Sequence, residues 1–255
     1  MTDDRRFETV FRENIRRRSR TASGQDKGSE TSKSKKPLAL QGEALAAKVA
    51  ANTERLVADV AATADRWAAN MPIKTGDALC EACERWFDIV NDGLYGPGAY
   101  ADEFAALEKD AAKVGPLLEL PLSVNRRYRL WTPGYTTIKV PPVLLETFMS
   151  AFYDLLGGML FDAGFVREPD EPADLAQGAA IMAYADLMMD GELHPWMDGC
   201  GRVSTALVMA VARSLGLPPP LFAETKDGHY ATIRDLMPHT EYFVAAMRRG
   251  AEHRP

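Results

Sequence analysis

Three side chains of complementary chemistry stand four positions apart: His194, Asp198 and Arg202. They lie in the run Leu193-His194-Pro195-Trp196-Met197-Asp198-Gly199-Cys200-Gly201-Arg202. An imidazole can take a proton from a hydroxyl near neutral pH. A carboxylate can hold Mg²⁺ against phosphates, and a guanidinium offers paired planar donors to phosphate oxygens. The two glycines let a ligand approach the backbone closely. The positioning elements are two apolar segments. Val203 to Leu215 reads as a buried helix stopped by Gly216 and Pro218, and Asp174 to Met189 is equally apolar and helical. The polar run is therefore a loop feeding a helix N-terminus, where N–H groups lack partners and the dipole is positive. That is an anion site, first of all for phosphate. Its parts are the Gly199, Cys200 and Gly201 amides and Arg202 for the phosphates, Asp198 for the metal, and His194 as base. A helix-capping loop with an incidental histidine is the competing reading.

The same residues resemble the signature of the Fic family, H-x-F-x-[DE]-G-N-G-R-x-x-R. His194, Asp198, Gly199, Gly201 and Arg202 match, Pro195 is usual there, and Trp196 replaces the aromatic Phe. Cys200 stands where the Asn belongs and Thr205 where the second Arg belongs. The resemblance covers roughly residues 120–235. It implies a mainly α-helical, Fic-like bundle with one β-hairpin flap. The implied reaction moves AMP, or another phosphate-containing part of a nucleotide, from ATP or a related nucleotide with Mg²⁺. The acceptor is a Ser, Thr or Tyr hydroxyl of a target protein. With Thr205 for Arg, the third phosphate lacks its usual partner, which leaves room for a diphosphate donor. The alternative is a catalytically weak or inactive nucleotide- or peptide-binding module. Cys200 keeps its backbone N–H, and a thiol at a helix N-terminus beside Arg202 is expected to be the most reactive of the three cysteines.

Composition sets the bounds. At 255 residues the chain suits one core with appendages. No apolar run reaches the roughly 18 residues of a membrane span and the N-terminus is charged, so no membrane partner is expected. An odd cysteine count favours a reducing compartment, so the expected place is the cytoplasm, with export into another cell as an effector the alternative. Three cysteines give no disulfide framework, and Cys80-Glu-Ala-Cys83 lacks a second pair to complete a zinc site. Net charge is −6, yet residues 1–36 carry eleven Lys/Arg against six Asp/Glu, so the rest of the chain holds −11. An acidic body argues against nucleic acid as a partner.

Three regions follow. Residues 1–36 read as a basic, mostly disordered tail, since residues 16–36 hold almost nothing apolar. Phe7, Val10, Phe11 and Ile15 keep helical spacing for one short helix within it. Thr9-Val-Phe-Arg-Glu13-Asn14 looks like the [ST]-x-x-x-E-[GN] string with which Fic proteins inhibit themselves, Glu13 being the inhibitory residue. Its Arg partner is missing here, so removing residues 1–36 is expected to change neither activity nor melting temperature.

Residues 37–116 read as three accessory helices. They are striped by Leu45, Val49, Leu56, Val60 and Trp67, then by Leu79, Cys83, Trp86 and Val90, then by Tyr100, Phe104, Leu107 and Val114. Residues 117–255 form the core. Tyr128 to Val140, β-branched and aromatic around Pro133-Gly134, reads as a hairpin. In the family such a flap docks the target peptide by edge pairing, which assigns Thr136, Thr137, Ile138 and Lys139 to docking. A helix with Leu144, Phe148, Ala151 and Leu155 on one face follows, then a loop from Gly157 to Pro172. Thr225 or Asp227 caps a helix at Gly228-His229-Tyr230, ended by Pro238, and Thr240 caps the last helix. Tyr230 is either a contact to the nucleotide base or core packing.

Overall fold

The computed structural model describes residues 2–19, 39–70, 76–94, 128, 140, 144–165, 173–196 and 198–253. These form eight α-helices and one π-helical turn, with no strand among the described residues. The fold is mainly α, as expected. Of the hairpin only Tyr128 and Val140 are described; the docking residues Thr136, Thr137, Ile138 and Lys139, and the third accessory helix, lie outside the described residues.

The helices are α1 (Thr2–Ser19), α2 (Gly42–Ala69), α3 (Asp77–Asn91), α4 (Leu145–Phe165), α5 (Leu175–Asp186), α6 (Cys200–Ser214), α7 (Lys226–Tyr230) and α8 (Leu236–Glu252). The π turn spans Leu187–Leu193, between α5 and the polar loop. Helix α6 is the axis of the packing. Val203 and every residue from Ala206 to Ala212 are buried, because its apolar residues run around the whole cylinder rather than along a stripe. Helices α1, α2, α3 and α5 pack around it. Gly216, at φ 69°, closes it in the left-handed region that glycine adopts without steric cost.

Four sequence expectations need correction. First, α1 is no appendage. Phe7, Val10, Phe11 and Ile15 are at most 8 % exposed, and Asn14 is fully buried. The Asn14 amide donates to the Pro220 carbonyl at 2.7 Å and accepts from the Phe222 amide at 2.9 Å. The basic residues 16–18 continue this helix instead of beginning a disordered stretch. Their charge reads as solvated in sequence, yet Arg18 is buried. Removing residues 1–36 therefore takes away part of the core.

Second, α2 and α3 share one continuous hydrophobic cluster with α6 and are not a separate layer. Leu56, Val57, Val60, Ala64 and Trp67 of α2 are buried, and Trp67 meets Trp86 of α3 at 6.0 Å between ring centroids. Third, α4 continues through Gly157-Gly158 to Phe165, and its buried face is Leu145, Met149, Phe152, Leu156 and Leu160. The face carrying Leu144, Phe148 and Leu155 is exposed. This helix is apolar nearly all round, so periodicity alone selected the wrong face.

Fourth, α7 is only five residues long, with Thr225 accepting from Gly228 N at 3.2 Å. Helix α8 is capped by Asp235, whose carboxylate accepts from Met237 N at 3.1 Å, and runs through Pro238. Proline is tolerated in the first turn because its N–H would have no helical partner there.

Candidate functional site

The polar loop begins where the π turn ends. His194 takes φ 41° and ψ 61°, the only positive-φ residue other than glycine among the described residues. A left-handed non-glycine residue is uncommon and costs conformational energy, so the surrounding contacts must hold it. One is its own ring: Nδ1 lies 3.1 Å from the Asp190 carbonyl oxygen and 3.6 Å from Asp190 Oδ1. A second anchor is Trp196, fully buried and stacked on Phe87 of α3 at 4.6 Å between centroids.

Gly199 is the N-cap of α6 at φ 92°. A Cβ there would lie 3.1 Å from Asn91 Nδ2 and 3.2 Å from Val90 Cγ2, so both conformation and space select glycine. Its carbonyl accepts from the Arg202 and Val203 amides at 3.0 and 2.9 Å, which starts the helix. Arg202 bonds Asp198 Oδ2 at 3.0 Å and the Val90 carbonyl at 2.9 Å. Both side chains of this ion pair keep about a fifth of their surface open. The carboxylate assigned to a metal and the guanidinium assigned to phosphate thus neutralise each other at the mouth of the α6 N-terminus.

Cys200 departs from its expectation. It is 1 % exposed, its thiol donates to the Trp196 carbonyl at 3.1 Å, and its sulfur lies 3.3 Å from Trp196 N. The side chain turns back into the loop that precedes it, so proximity to the dipole does not make the thiol accessible. Cys83 is buried and its thiol is pushed up by burial; Cys80 is half-buried and pushed up by burial and by Glu84, Asp77 and Glu81. Cys80 is therefore expected to alkylate first in the native protein, slowly at neutral pH, while Cys83 and Cys200 stay protected. Site-resolved mass spectrometry after a short alkylation pulse checks this order.

Beneath the loop lies a buried polar cluster that the sequence reading did not assemble. Arg18 of α1 is its hub. Nη1 donates to Asp186 Oδ1 at 3.1 Å, to the Gly201 carbonyl at 3.0 Å and to Thr205 Oγ1 at 3.1 Å. Nη2 donates to Asp190 Oδ2 at 2.8 Å and lies 2.8 Å from His229 Nε2. Asp186 Oδ2 is 2.8 Å from His229 Nε2 and 2.9 Å from His239 Nε2, and its Oδ1 accepts from Ser204. The outer ring nitrogens reach Tyr242 Oη at 3.1 Å and Thr232 Oγ1 at 2.9 Å.

Asp186, His229 and His239 have the identities of a metal-ligand set. Their separations are hydrogen-bond lengths, and the Arg18 guanidinium already supplies a cation to the same carboxylate. Thr205, at the position of the missing second Arg, is fully buried under Arg18. Tyr230 donates to Asp190 Oδ2, and burial together with the Asp190 charge raises its hydroxyl well above the usual value. This hydrogen bond ties the part-buried Tyr230 hydroxyl into the cluster. Glu13 is held by Arg16 and by Arg17 Nε at 2.7 Å, both on its own helix. The residue of α1 that enters the site is Arg18, five positions later.

The cluster ties stability to pH. Burial alone would raise Asp186, but Arg18 and the two histidine rings hold its carboxyl well below the usual range. His229 is lowered by burial and by the Arg18 charge. Both folded values lie below the unfolded ones, so the unfolded chain binds more protons as pH falls. The stability contributed by His229 is complete above about pH 6.5 and declines below it; that of Asp186 is complete above about pH 4 and declines below that. Urea midpoints at stepped pH are expected to fall in two stages on the acid side. His229→Gln should remove the first stage.

One signal of the cluster was available in the sequence. Asp186 and Asp190 sit four apart in an otherwise apolar segment, and a buried carboxylate requires a cationic or donating partner. No described helix is long and apolar enough to cross a membrane. No family model, curated protein or solved structure matches this chain.

Proposed function

We propose that this chain transfers a phosphate-containing part of a Mg²⁺-bound nucleotide, AMP in the simplest case, onto a hydroxyl of a protein. The resemblance of residues 194–202 to the Fic signature supports this reading. The observation that carries it is the arrangement at the α6 N-terminus. A left-handed His194 with its Nδ1 tied down stands at one end of the loop, and a partly open Asp198–Arg202 pair at the other.

In this reading the ion pair is the resting form. Asp198 would hold Mg²⁺, which would supply charge neutralisation to the phosphates, and Arg202, freed from Asp198, would turn its donors to phosphate oxygens. The amides of Gly199, Cys200 and Gly201, at the α6 N-terminus, would face the charge that develops on the transferred phosphate. His194 Nε2 takes the proton of the target hydroxyl. The hydroxyl oxygen forms a bond to the α-phosphorus, and the bond from that phosphorus to the bridging oxygen breaks. The remaining phosphates leave with that oxygen.

Thr205 lies under Arg18 and offers the third phosphate no charge. A donor recognised through its first two phosphates fits this site, so ADP-type and ATP-type nucleotides are expected to bind within a few-fold of one another. An arginine at position 205 would meet the Arg18 guanidinium in a fully buried place, so Thr205→Arg destabilises the fold and does not improve ATP binding.

Thermal stabilisation tests the reading at the level of binding. Mg²⁺ with nucleotide should raise the melting temperature of the wild-type chain, and Asp198→Asn or Arg202→Ala should reduce the gain. Equal shifts in all three proteins would remove the loop from the nucleotide site.

A further inference from the structure

Asp190 is 5 % exposed and holds two different groups with its two ends. Its backbone carbonyl meets His194 Nδ1 at 3.1 Å. A carbonyl only accepts, so Nδ1 carries the proton there and Nε2 carries the lone pair. Its carboxylate is fixed from the far side. Arg18 Nη2 and the Tyr230 hydroxyl both donate to Oδ2, one from α1 and one from α7, and the other oxygen, Oδ1, lies 3.6 Å from the same His194 nitrogen. The remaining charged neighbours stand behind Arg18, which also binds Asp186 and touches His229. Asp190 also adjoins the phosphate end of the site, since a Cβ on Gly201 would lie 3.7 Å from Oδ1.

We propose that Asp190 is the positioning residue for His194, and that the N-terminal helix is an integral part of the site because it clamps Asp190 through Arg18. Two donors on Oδ2 leave Oδ1 directed at the imidazole. The carbonyl and Oδ1 of one residue then hold Nδ1–H, which keeps the lone pair on Nε2 and the ring in one orientation despite the left-handed backbone. When Nε2 gains the proton of an acceptor hydroxyl, the resulting imidazolium lies beside the Asp190 carboxylate. Helix α1 therefore supports the base, the reverse of the inhibitory role that its Thr9-to-Asn14 string suggests.

The role as base rests on the transfer reading, but the hold on the ring does not, and the experiment has an arm for each. Long-range ¹H–¹⁵N spectra of histidine-labelled protein, assigned with His194→Gln, report which ring nitrogen is protonated. The expected result is an Nδ1–H form in the wild type and a growing share of Nε2–H in Asp190→Asn. Initial rates with saturating Mg²⁺–nucleotide should fall about 10- to 100-fold in Asp190→Asn, the usual cost of losing an orienting partner of an imidazole, with KM for nucleotide unchanged. Tyr230→Phe removes one donor at smaller cost to the fold and should lower kcat about two- to tenfold. If Asp190→Asn does not fold, Tyr230→Phe with the same spectra carries the test.

A tautomer that changes in a chain without transfer activity would uphold the positioning and sink the transfer reading alone. A folded variant with an unchanged tautomer and unchanged kcat would overturn the role of Asp190.

Discussion

Arg18→Ala is expected to cost about 3–5 kcal/mol of stability, the usual penalty for removing one partner of a buried ion pair. This guanidinium ion-pairs with both the Asp186 and the Asp190 carboxylates. Without it two buried carboxylates lose their arginine partner, and the Gly201 carbonyl and Thr205 hydroxyl lose a donor. The loss compares with a third or more of the total stability of an ordinary domain. Arg16→Ala, two residues away on an exposed part of the same helix, should change stability by no more than about 0.5 kcal/mol. Urea midpoints of the two variants make the comparison. The deficit of Arg18→Ala should shrink as pH falls, beginning above about pH 4, because burial raises an unsupported Asp186, which takes up a proton and no longer penalises the fold. Equal midpoints for the two variants would mean that α1 does not dock as described.

His194→Ala is expected to lower the rate of transfer by about 10²–10⁴-fold, the range that general-base catalysis supplies. Nucleotide binding should stay within a few-fold, because the phosphates are assigned to the α6 N-terminus and Arg202, and the metal to Asp198. Alanine adopts φ 41° no more readily than histidine, so the backbone strain remains, and the lost ring contact to Asp190 should cost about 1 kcal/mol. Labelling rates at saturating nucleotide, set beside the melting temperature of the same preparation, separate lost chemistry from lost fold. A variant that labels at the wild-type rate would exclude His194 as the base.

The local part of this site was legible because its signals are local. Glycines around Cys200, an apolar run behind Arg202 and a second one before the loop suffice to place a helix N-terminus, and α6 begins at Cys200. The buried cluster was not legible, because its members come from α1, α5, the π turn, α6, α7 and α8. Arg18 carries no mark in sequence that separates it from Arg16 and Arg17; only the face of α1 that meets α6 does. Cys200 failed for a different reason. A helix dipole lowers the energy of a thiolate, but the rotamer decides whether the sulfur meets solvent, and here it bonds back to Trp196. Along α4 the exposed Phe148 and Leu155, with Leu144 just before the helix, match helical spacing as well as the buried Leu145, Met149 and Leu156 do. A helix apolar on both faces leaves that choice to its neighbours.

The most direct measurement of the central claim is intact and peptide mass spectrometry after incubation with Mg²⁺ and nucleotide. It is run on the wild-type chain alone and with a co-expressed acceptor protein, beside His194→Ala. The expected result is a Mg²⁺-dependent mass increase equal to the transferred phosphate-containing group. The group should map to a Ser, Thr or Tyr hydroxyl and be absent from the His194→Ala sample. Full nucleotide binding with no mass increase on any acceptor would contradict transfer and leave a nucleotide-binding module.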